Sequence, residues 1–331
     1  MKKLLALALA ATMALSLAAC GGAKEEPAAP SEPATEAPAA ETYKVGICQL
    51  APHPALDAAT QGFIDALNEA LPGQVEFDNQ NAAGESATCA TIVNGFVSAD
   101  VDLIMANATP ALQAAVAATS DIPVLGTSVT EYGVALGIDN FSGTVGTNVS
   151  GTSDLAPLDE QAAMVKEWFP EAKTVGLLYC SAEANSQYQV DTVQAELEKL
   201  GLTCTQYPFS DTNDMASVTQ SAVDNSDVLY VPTDNTCANN AGIIDNIARP
   251  AGVPIIAGEE GICGGCGVAT LSISYYDLGV ATGKMAAKIL TGEADIASMP
   301  IEYAPQFTKK YNETICTDLG LTVPEGYEAI A

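Results

Sequence analysis

The sequence predicts an α/β protein of two lobes, each with a mainly parallel sheet, joined by hinge segments. Three observations lead to this fold class. Short apolar runs alternate with helical patterns throughout residues 43–331, which is typical of βαβ units. The order of these runs begins again at residue 174, and the folded part is longer than one hydrophobic core usually supports.

The first half is interpreted as strands and helices in alternation. Composition and periodicity predict strands at residues 43–50, 74–81, 102–106, 122–125 and 134–138. Helices are predicted at residues 60–71, 86–98 and from Pro110, because proline commonly occupies the first helical position. Strands connected through helices lie parallel in one sheet.

The second half repeats this order. Strands are predicted at residues 174–179, 202–209, 227–231 and 253–257, and helices at residues 187–200 and 214–223. The run DVLYV at 227–231 corresponds to DLIMA at 102–106, although identity between the halves is low, so only the architecture is repeated. Two Rossmann-like lobes of this kind direct the carboxyl ends of their strands, and their ligand loops, into one cleft.

Two segments, residues 148–154 and 271–275, are predicted to cross between the lobes, and a helix at 277–290 returns to the first lobe. Their glycines and serines can absorb the dihedral changes of a hinge. Plain surface loops are the alternative. The first lobe then comprises residues 43–150 and 276–305, and the second comprises residues 151–275 and 306–331.

The N-terminus predicts export and lipidation. Lys2 and Lys3 precede a short apolar run, and residues 17–21 (LAACG) match a lipobox, so residues 1–19 are a signal peptide and Cys20 is the acylated residue. A coincidental cysteine after an ordinary signal peptide is the alternative. Residues 20–42, rich in Ala, Pro and Glu, form a disordered linker to the membrane. No later run is apolar for long enough to span a bilayer.

The charge excludes one class of partner. The chain has 12 basic and 41 acidic residues and a formal net charge of −29. Such a balance argues against nucleic-acid binding and against electrostatic adhesion to anionic lipid. Membrane contact is therefore expected only through the acyl anchor.

Polar residues follow the first-lobe strands where cleft loops belong. Asn107, Thr109 and Pro110 stand at a predicted helix start, whose N–H groups favour an anion such as a ligand carboxylate. Thr109 as a mere helix cap is the alternative. Thr127 and Ser128 add hydroxyl groups after the next strand.

The second-lobe loops offer acids instead. Thr233, Asp234 and Asn235 occupy the corresponding place, and Glu260 follows the next strand. A carboxylate across the cleft would hold a ligand ammonium, so the two lobes together suit an α-amino acid. Asp234 as a helix N-cap is the alternative. Tyr275 at the second crossing is either a stacking wall for a ring or part of the hinge packing.

Catalysis and metal binding are not expected. His53 is the single histidine and lies in a predicted cleft loop, without a second ligand at zinc spacing and without a nucleophile motif elsewhere. Cys48 and Cys180 end strands and are expected to be small buried side chains. Cys263 and Cys266 allow a disulfide with each other or with a distant cysteine. No helix is predicted to begin at this pair, so a thioredoxin-type redox motif is not expected. We expect no cofactor.

Five motifs together resemble the ABC-transporter substrate-binding proteins of the tryptophan/tyrosine group. They are VGICQLAPHPALD (45–57), NATPALQA (107–114), NVSGTSD (148–154), EANS (183–186) and VPTDN (231–235). The resemblance extends from residue 43 to about residue 321 and implies a type I periplasmic-binding-protein fold that closes on an aromatic amino acid. Within these motifs, Gln49, Asp154 and Asn185 are further expected ligand contacts. The run Thr127–Tyr132 and the cysteine content depart from the family pattern.

The sequence therefore predicts an extracytoplasmic, lipid-anchored, monomeric binding protein that works with an ABC permease and its ATPase. Three alternatives stay open. The same cleft could belong to the sensing subunit of a signalling receptor, or it could bind another solute such as a branched-chain amino acid or a nucleoside. The third alternative is an extracytoplasmic thiol or hydrolytic enzyme.

Overall fold

The computed structural model describes residues 42–304 and 306–330. The predicted signal peptide, Cys20 and almost all of the linker lie outside these residues. The strands are β1 (Tyr43–Gln49), β2 (Val75–Asn81), β3 (Leu103–Asn107), β4 (Val124–Val129), β5 (Val149–Ser153), β6 (Thr174–Cys180), β7 (Thr203–Phe209), β8 (Val228–Val231), β9 (Ile255–Ala257), β10 (Ala269–Ser272), β11 (Glu302–Tyr303), β12 (Thr308–Tyr311) and β13 (Glu328–Ala329).

Helices separate most of these strands. They are α1 (Pro54–Ala70), α2 (Ser86–Ser98), α3 (Thr109–Ala118), α4 (Tyr132–Leu136), α5 (Leu158–Trp168), α6 (Ala184–Lys199), α7 (Thr212–Asp224), α8 (Asn235–Asn239), α9 (Ala241–Ala251), α10 (Glu260–Cys266), α11 (Tyr275–Leu290) and α12 (Glu313–Asp318). None of the helices within the described ranges combines the length and apolar character that a membrane span requires.

The strands form two sheets, one for each lobe. The first has the order β11-β5-β4-β3-β1-β2, and the second has the order β13-β12-β10-β9-β8-β6-β7. Every neighbouring pair is parallel except β10 and β12. This confirms the predicted α/β fold of two mainly parallel lobes.

Each central sheet is buried on both faces, because helices cover both sides. Along β1, Val45 and Ile47 join the core cluster that contains Phe63 of α1, whereas Cys48 joins the cluster on the opposite face. In the second lobe, Cys180 of β6 is likewise enclosed in a core cluster. Both cysteines therefore fill the cores as small apolar side chains, as the sequence indicates.

Helix α11 returns to the first lobe and packs closely on α1. A Cβ atom on Gly62 would lie 2.1 Å from the carbonyl oxygen of Tyr276, and one on Gly279 would lie 2.0 Å from that of Ala59. The two backbones therefore approach each other at positions where only glycine fits. Three connections link the sheets: from β5 to α5, from β10 to α11, and from β11 to β12.

Three local predictions are wrong. Residues 134–138, predicted as a strand, belong largely to α4, because Glu131 accepts a hydrogen bond from the Val134 N–H and Gly137 ends the helix in the left-handed region. Residues 149–153, predicted as a crossing loop, form β5 of the first sheet, so this sheet extends three residues beyond the predicted boundary at 150. Residues 260–266, where no helix was expected, form α10, because Glu259 caps it.

Candidate functional site

The carboxyl ends of the strands from both sheets meet at a narrow chamber between the lobes. Its lining residues are His53, Leu56, Ser128, Thr130, Asp154, Asn185, Thr233, Asp234, Asn235, Ala238, Glu259 and Tyr275. The void is about 10 Å³, which is the space that one water molecule needs. The lobes are thus closed around a set of polar side chains.

The chamber concentrates buried polar atoms that have no protein partner. They are His53 Nδ1, His53 Nε2, Ser128 Oγ, Asp154 Oδ1 and Asn185 Oδ1. Elsewhere in the part of the chain that the structure describes, three more buried side-chain atoms are without a partner: Asn107 Oδ1, Trp168 Nε1 and Thr270 Oγ1. Because buried polar groups are nearly always hydrogen-bonded, this clustering indicates a place where a small polar molecule completes the bonds.

Ser128 reaches the chamber from an irregular part of β4. The register between β4 and β5 shifts between Gly126 and Val129, and Ser128 has a φ of 53°. A left-handed conformation is costly for serine, and such strain persists where the surrounding structure enforces it, often at functional sites. The bulge turns the hydroxyl group of Ser128 into the chamber.

Asp154 lies at the first crossing and is bonded to the second. The hydroxyl group of Tyr275 donates to Asp154 Oδ2 at 3.0 Å, which leaves Oδ1 facing the chamber. Burial raises the pKa of Asp154, and the hydrogen bond from Tyr275 opposes this effect. A single carboxylate therefore joins two hinge segments and presents one unpartnered oxygen to a ligand.

Asp234 also lines the chamber, but both of its oxygens accept backbone hydrogen bonds. Oδ1 accepts from the Cys237 N–H at 2.8 Å and Oδ2 from the Cys180 N–H at 2.7 Å. Burial, with the nearby charge of Glu183, raises the pKa of Asp234 to about 7, and the two N–H groups oppose the shift. Asp234 is thus the N-cap of α8 and ties this helix to the end of β6.

Glu183 anchors the same loop and was not among the predicted site residues. One oxygen accepts from the Asn235 N–H at 3.0 Å and its Nδ2 at 2.7 Å, and the other accepts from the Thr236 N–H at 2.8 Å and its Oγ1 at 2.7 Å. These bonds fix Asn235 at the chamber wall. No sequence pattern distinguishes such a buried anchor from an exposed glutamate.

Two glutamines position the second-lobe wall. Gln189 of α6 accepts from the Thr233 N–H at 3.0 Å and donates to the Thr233 carbonyl oxygen at 3.0 Å. The side chain of Asn185 donates to that same carbonyl oxygen at 3.0 Å. Gln161 of α5 donates to the carbonyl oxygen of Gly258 at 3.0 Å.

Glu259, rather than the predicted Glu260, lines the chamber. Its carboxylate caps α10 by accepting from the N–H groups of Gly261, at 2.6 Å, and of Ile262. Burial raises the pKa of Glu259 to about 7. Because the helix begins at residue 260, Glu260 is turned away into an adjoining groove, where Lys310 donates to it at 2.6 Å.

Besides Glu260, five predicted site residues are not among those that line the chamber. Gln49 bonds to Asp57, Thr60 and Ala51, and the side chain of Asn107 donates to the Leu56 carbonyl oxygen at 2.8 Å, so both support the α1 segment from behind. Thr127 pairs with Thr152 at 3.1 Å. Thr109 is buried at the start of α3, and Pro110 lines a different groove.

His53 precedes α1 and contributes both ring nitrogens to the chamber wall. Burial lowers its pKa, while the charges of Asp57 and Glu183 oppose the shift. The ring is therefore neutral near pH 7, with one N–H donor and one acceptor nitrogen.

The eight cysteines of the described residues are free thiols. Cys263 and Cys266, both in α10, are enclosed in a core cluster, and burial raises the pKa of both thiols. The disulfide that the sequence allowed at this pair does not form, and a raised pKa leaves little reactive thiolate. Within residues 42–304 and 306–330, no group of three or more His, Cys, Asp or Glu side chains is placed to hold a metal ion.

The chain is similar to proteins of known structure and function. A tyrosine-binding protein of Clostridioides difficile is 34% identical over 303 residues, which are 91% of this chain and 87% of that protein. The ABC domain of Streptococcus pneumoniae in complex with L-Trp is 33% identical, with a TM-score of 0.83 over 88% of this chain and 100% of that one.

A ligand-free, open substrate-binding protein with adhesive properties from Clostridium difficile is 38% identical, with a TM-score of 0.67 over 87% of this chain and 99% of that one. The fold is thus that of the type I periplasmic binding proteins, as the resemblance implied. The family model for ABC transporter substrate-binding proteins matches residues 44–331. This chain therefore belongs to the family of ABC transporter substrate-binding proteins.

Proposed function

We propose that this protein binds an aromatic α-amino acid in the inter-lobe chamber and delivers it to an ABC importer. The observation that carries the proposal is the set of five unpartnered polar atoms on one small chamber wall. The relatives supply the ligand class, since one is a tyrosine-binding protein and another is a complex with L-Trp.

The unpartnered atoms match the two poles of an α-amino acid. Asp154 Oδ1 and Asn185 Oδ1 are acceptors, and the neutral ring of His53 supplies a third, which together suit the three N–H donors of an ammonium group. The N–H of His53 and the hydroxyl group of Ser128 are donors that suit a carboxylate. The ammonium would therefore lie against Asp154, at the hinge, rather than against Asp234.

Lobe closure is the expected consequence of binding. The chain superimposes better on the L-Trp complex than on the open, ligand-free relative, although it is closer in sequence to the latter. This supports a lobe arrangement nearer to that of the L-Trp complex than to that of the open relative. A ligand would enter when the lobes are apart and would hold them together by bonding to both.

The setting of the site is also part of the proposal. The lipobox at residues 17–21 supports acylation of Cys20, and the segment that follows supports a flexible attachment to the outer face of the cytoplasmic membrane. Family membership supports an extracytoplasmic location and partnership with a permease and an ATPase. Cys20→Ala should release the protein from the membrane fraction without changing its ligand affinity, and acyl labelling that persists in this variant would contradict the anchor.

Calorimetry with two matched variants tests the site. Asp154→Asn keeps an acceptor for Tyr275 but removes the charge, and we expect tyrosine and tryptophan to bind about 30-fold or more weakly, because a desolvated ammonium loses its partner. Asp234→Asn is the control. The sequence alone assigned the ammonium to Asp234, whereas both of its oxygens already accept backbone N–H groups, so we expect a smaller loss of affinity for this variant than for Asp154→Asn. A large loss for Asp234→Asn with little loss for Asp154→Asn would reverse the assignment.

A further inference from the structure

A second cavity adjoins the chamber at the hinge. This groove has a volume of about 660 Å³, and Glu259 and Tyr275 line both the groove and the chamber. Its apolar lining includes the small side chains of Ala55 and Ala58 at the start of α1, and Ile273, which packs in the same cluster. A substituent that leaves the chamber between Glu259 and Tyr275 would therefore enter a wide and largely apolar space.

The groove contains an ion pair. Lys310 Nζ lies 2.6 Å from Glu260 Oε2, and Ser272 Oγ lies 3.4 Å from the same oxygen. The two charged side chains are 27% and 31% exposed, so they are half-buried but reachable from the groove. Within the described residues these contacts all involve Oε2, so Oε1 of Glu260 is available to another donor.

We propose that this groove is the subsite for the ligand's side chain, and that Glu260 and Lys310 select a side chain that ends in a hydroxyl group. This inference rests on the proposed function. The chamber, at about 10 Å³, has room for one water molecule and admits a head group only when the lobes move apart, whereas the groove, at about 660 Å³, has room for a ring as it stands. A phenol hydroxyl group both donates and accepts, so it complements a carboxylate and an ammonium held side by side.

The chain offers a matched control on the same strand. Lys309 precedes Lys310 in β12, and successive residues of a strand point to opposite faces. Lys309 pairs with Glu167 at 2.8 Å and lies over the ring of Tyr327, away from the groove. Removing either lysine changes the net charge equally, but only Lys310 faces the proposed subsite.

The test compares the affinities for tyrosine and phenylalanine in wild type, Lys310→Met, Glu260→Gln and Lys309→Met by calorimetry. A hydrogen bond to a charged group corresponds to about 10-fold to 100-fold in affinity, and partial exposure favours the lower end. We expect wild type to prefer tyrosine, and we expect Lys310→Met and Glu260→Gln to reduce that preference by about tenfold while phenylalanine affinity is retained. Lys309→Met should keep the wild-type preference.

Melting temperatures establish that each variant is folded. If Lys310→Met does not fold, the test relies on Glu260→Gln, which keeps the shape of the side chain. A tyrosine-to-phenylalanine ratio that is the same in all four proteins would overturn the subsite but leave the amino-acid site in place. If wild type binds no amino acid, the proposed function fails, and this inference fails with it.

Discussion

The two walls of the chamber differ in how far the hydrogen bonds of their polar side chains are satisfied within the protein. On the second-lobe wall, the carboxylates of Glu183, Asp234 and Glu259 accept hydrogen bonds from N–H groups at the starts of α8 and α10. This wall keeps one chamber atom without a protein partner, Asn185 Oδ1, whereas His53, Ser128 and Asp154 on the other side keep four. An acid in a cleft is therefore not by itself a ligand contact. Unsatisfied hydrogen-bonding capacity is the better guide, because a bound molecule has to supply what the protein leaves open.

The largest expected effect comes from removing the anchor of the second-lobe wall. Glu183→Leu leaves the N–H groups of Asn235 and Thr236 without their acceptor in a buried setting. We expect the free energy of unfolding to fall by about 3–5 kcal/mol, as measured by urea denaturation. Glu85→Leu is the control, since Glu85 precedes α2 without making a side-chain cap bond. A loss below about 1 kcal/mol for Glu183→Leu would show that this wall does not depend on its buried acid.

An intermediate effect concerns pH. Asp234 and Glu259 have folded-state pKa values raised to about 7 by burial. A raised pKa means that the folded state holds protons that the unfolded state has released, so stability is full below about pH 4 and declines as pH rises towards 7. We expect unfolding curves of the ligand-free protein to show lower stability at pH 8 than at pH 5.

The double variant Asp234→Asn with Glu259→Gln should flatten this dependence. The surface acid Asp227 should affect the pH dependence of stability in the opposite direction, because N–H groups of Lys173 and Thr174 lower its pKa. Its contribution is present above the unfolded pKa and is lost only as pH falls through the lower folded value. Stability that rises between pH 5 and pH 8 would contradict the assignment of raised pKa values to the second-lobe acids.

The smallest expected effect concerns Ser128 on the first-lobe wall. Its replacement should increase the stability of the protein and weaken ligand binding. Ser128→Gly relieves a left-handed conformation and should raise the free energy of unfolding by about 0.5–1 kcal/mol, while the lost hydroxyl group weakens ligand binding by about tenfold. Ala108→Gly, at a φ of 91° and outside the chamber lining, should stabilise without weakening binding. Equal affinities for both variants would mean that the Ser128 hydroxyl group does not contact the ligand.

Much of the fold follows from local patterns. The helix predicted at residues 86–98 has those bounds, and the strand predicted at 43–50 is observed at Tyr43–Gln49, because periodicity and buried apolar runs are properties of the chain itself. Residues 149–153 were missed because a run of small polar residues pairs as an inner strand only when β4 and β11 lie beside it. The helix at residues 260–266 was missed because its glycines disfavour a helix, whereas the N-cap hydrogen bonds of Glu259 stabilise it.

The candidate site shows the same division. The sequence identified eight of the residues that line the chamber: His53, Ser128, Asp154, Asn185, Thr233, Asp234, Asn235 and Tyr275. Most of them could be found because loops at the carboxyl ends of parallel strands meet at one edge. Tyr275 was found at a predicted crossing, and Asp154 and Asn185 came from the family resemblance. Glu259 and Thr130 were not among the predicted site residues. Glu260 was predicted in place of Glu259, since the start of a helix decides which of two adjacent acids turns inward.

The sequence by itself determined the two-lobe α/β architecture and the loops that meet in the cleft, because these depend on local periodicity and on the order of elements along the chain. The family followed from the resemblance of five motifs. Tertiary structure alone decided which polar atoms are already bonded within the protein. Asp234 and Asp154 are the same residue type at comparable strand ends. One accepts two N–H groups from its own lobe, whereas the other keeps an oxygen free, and this difference depends on contacts between residues far apart in sequence.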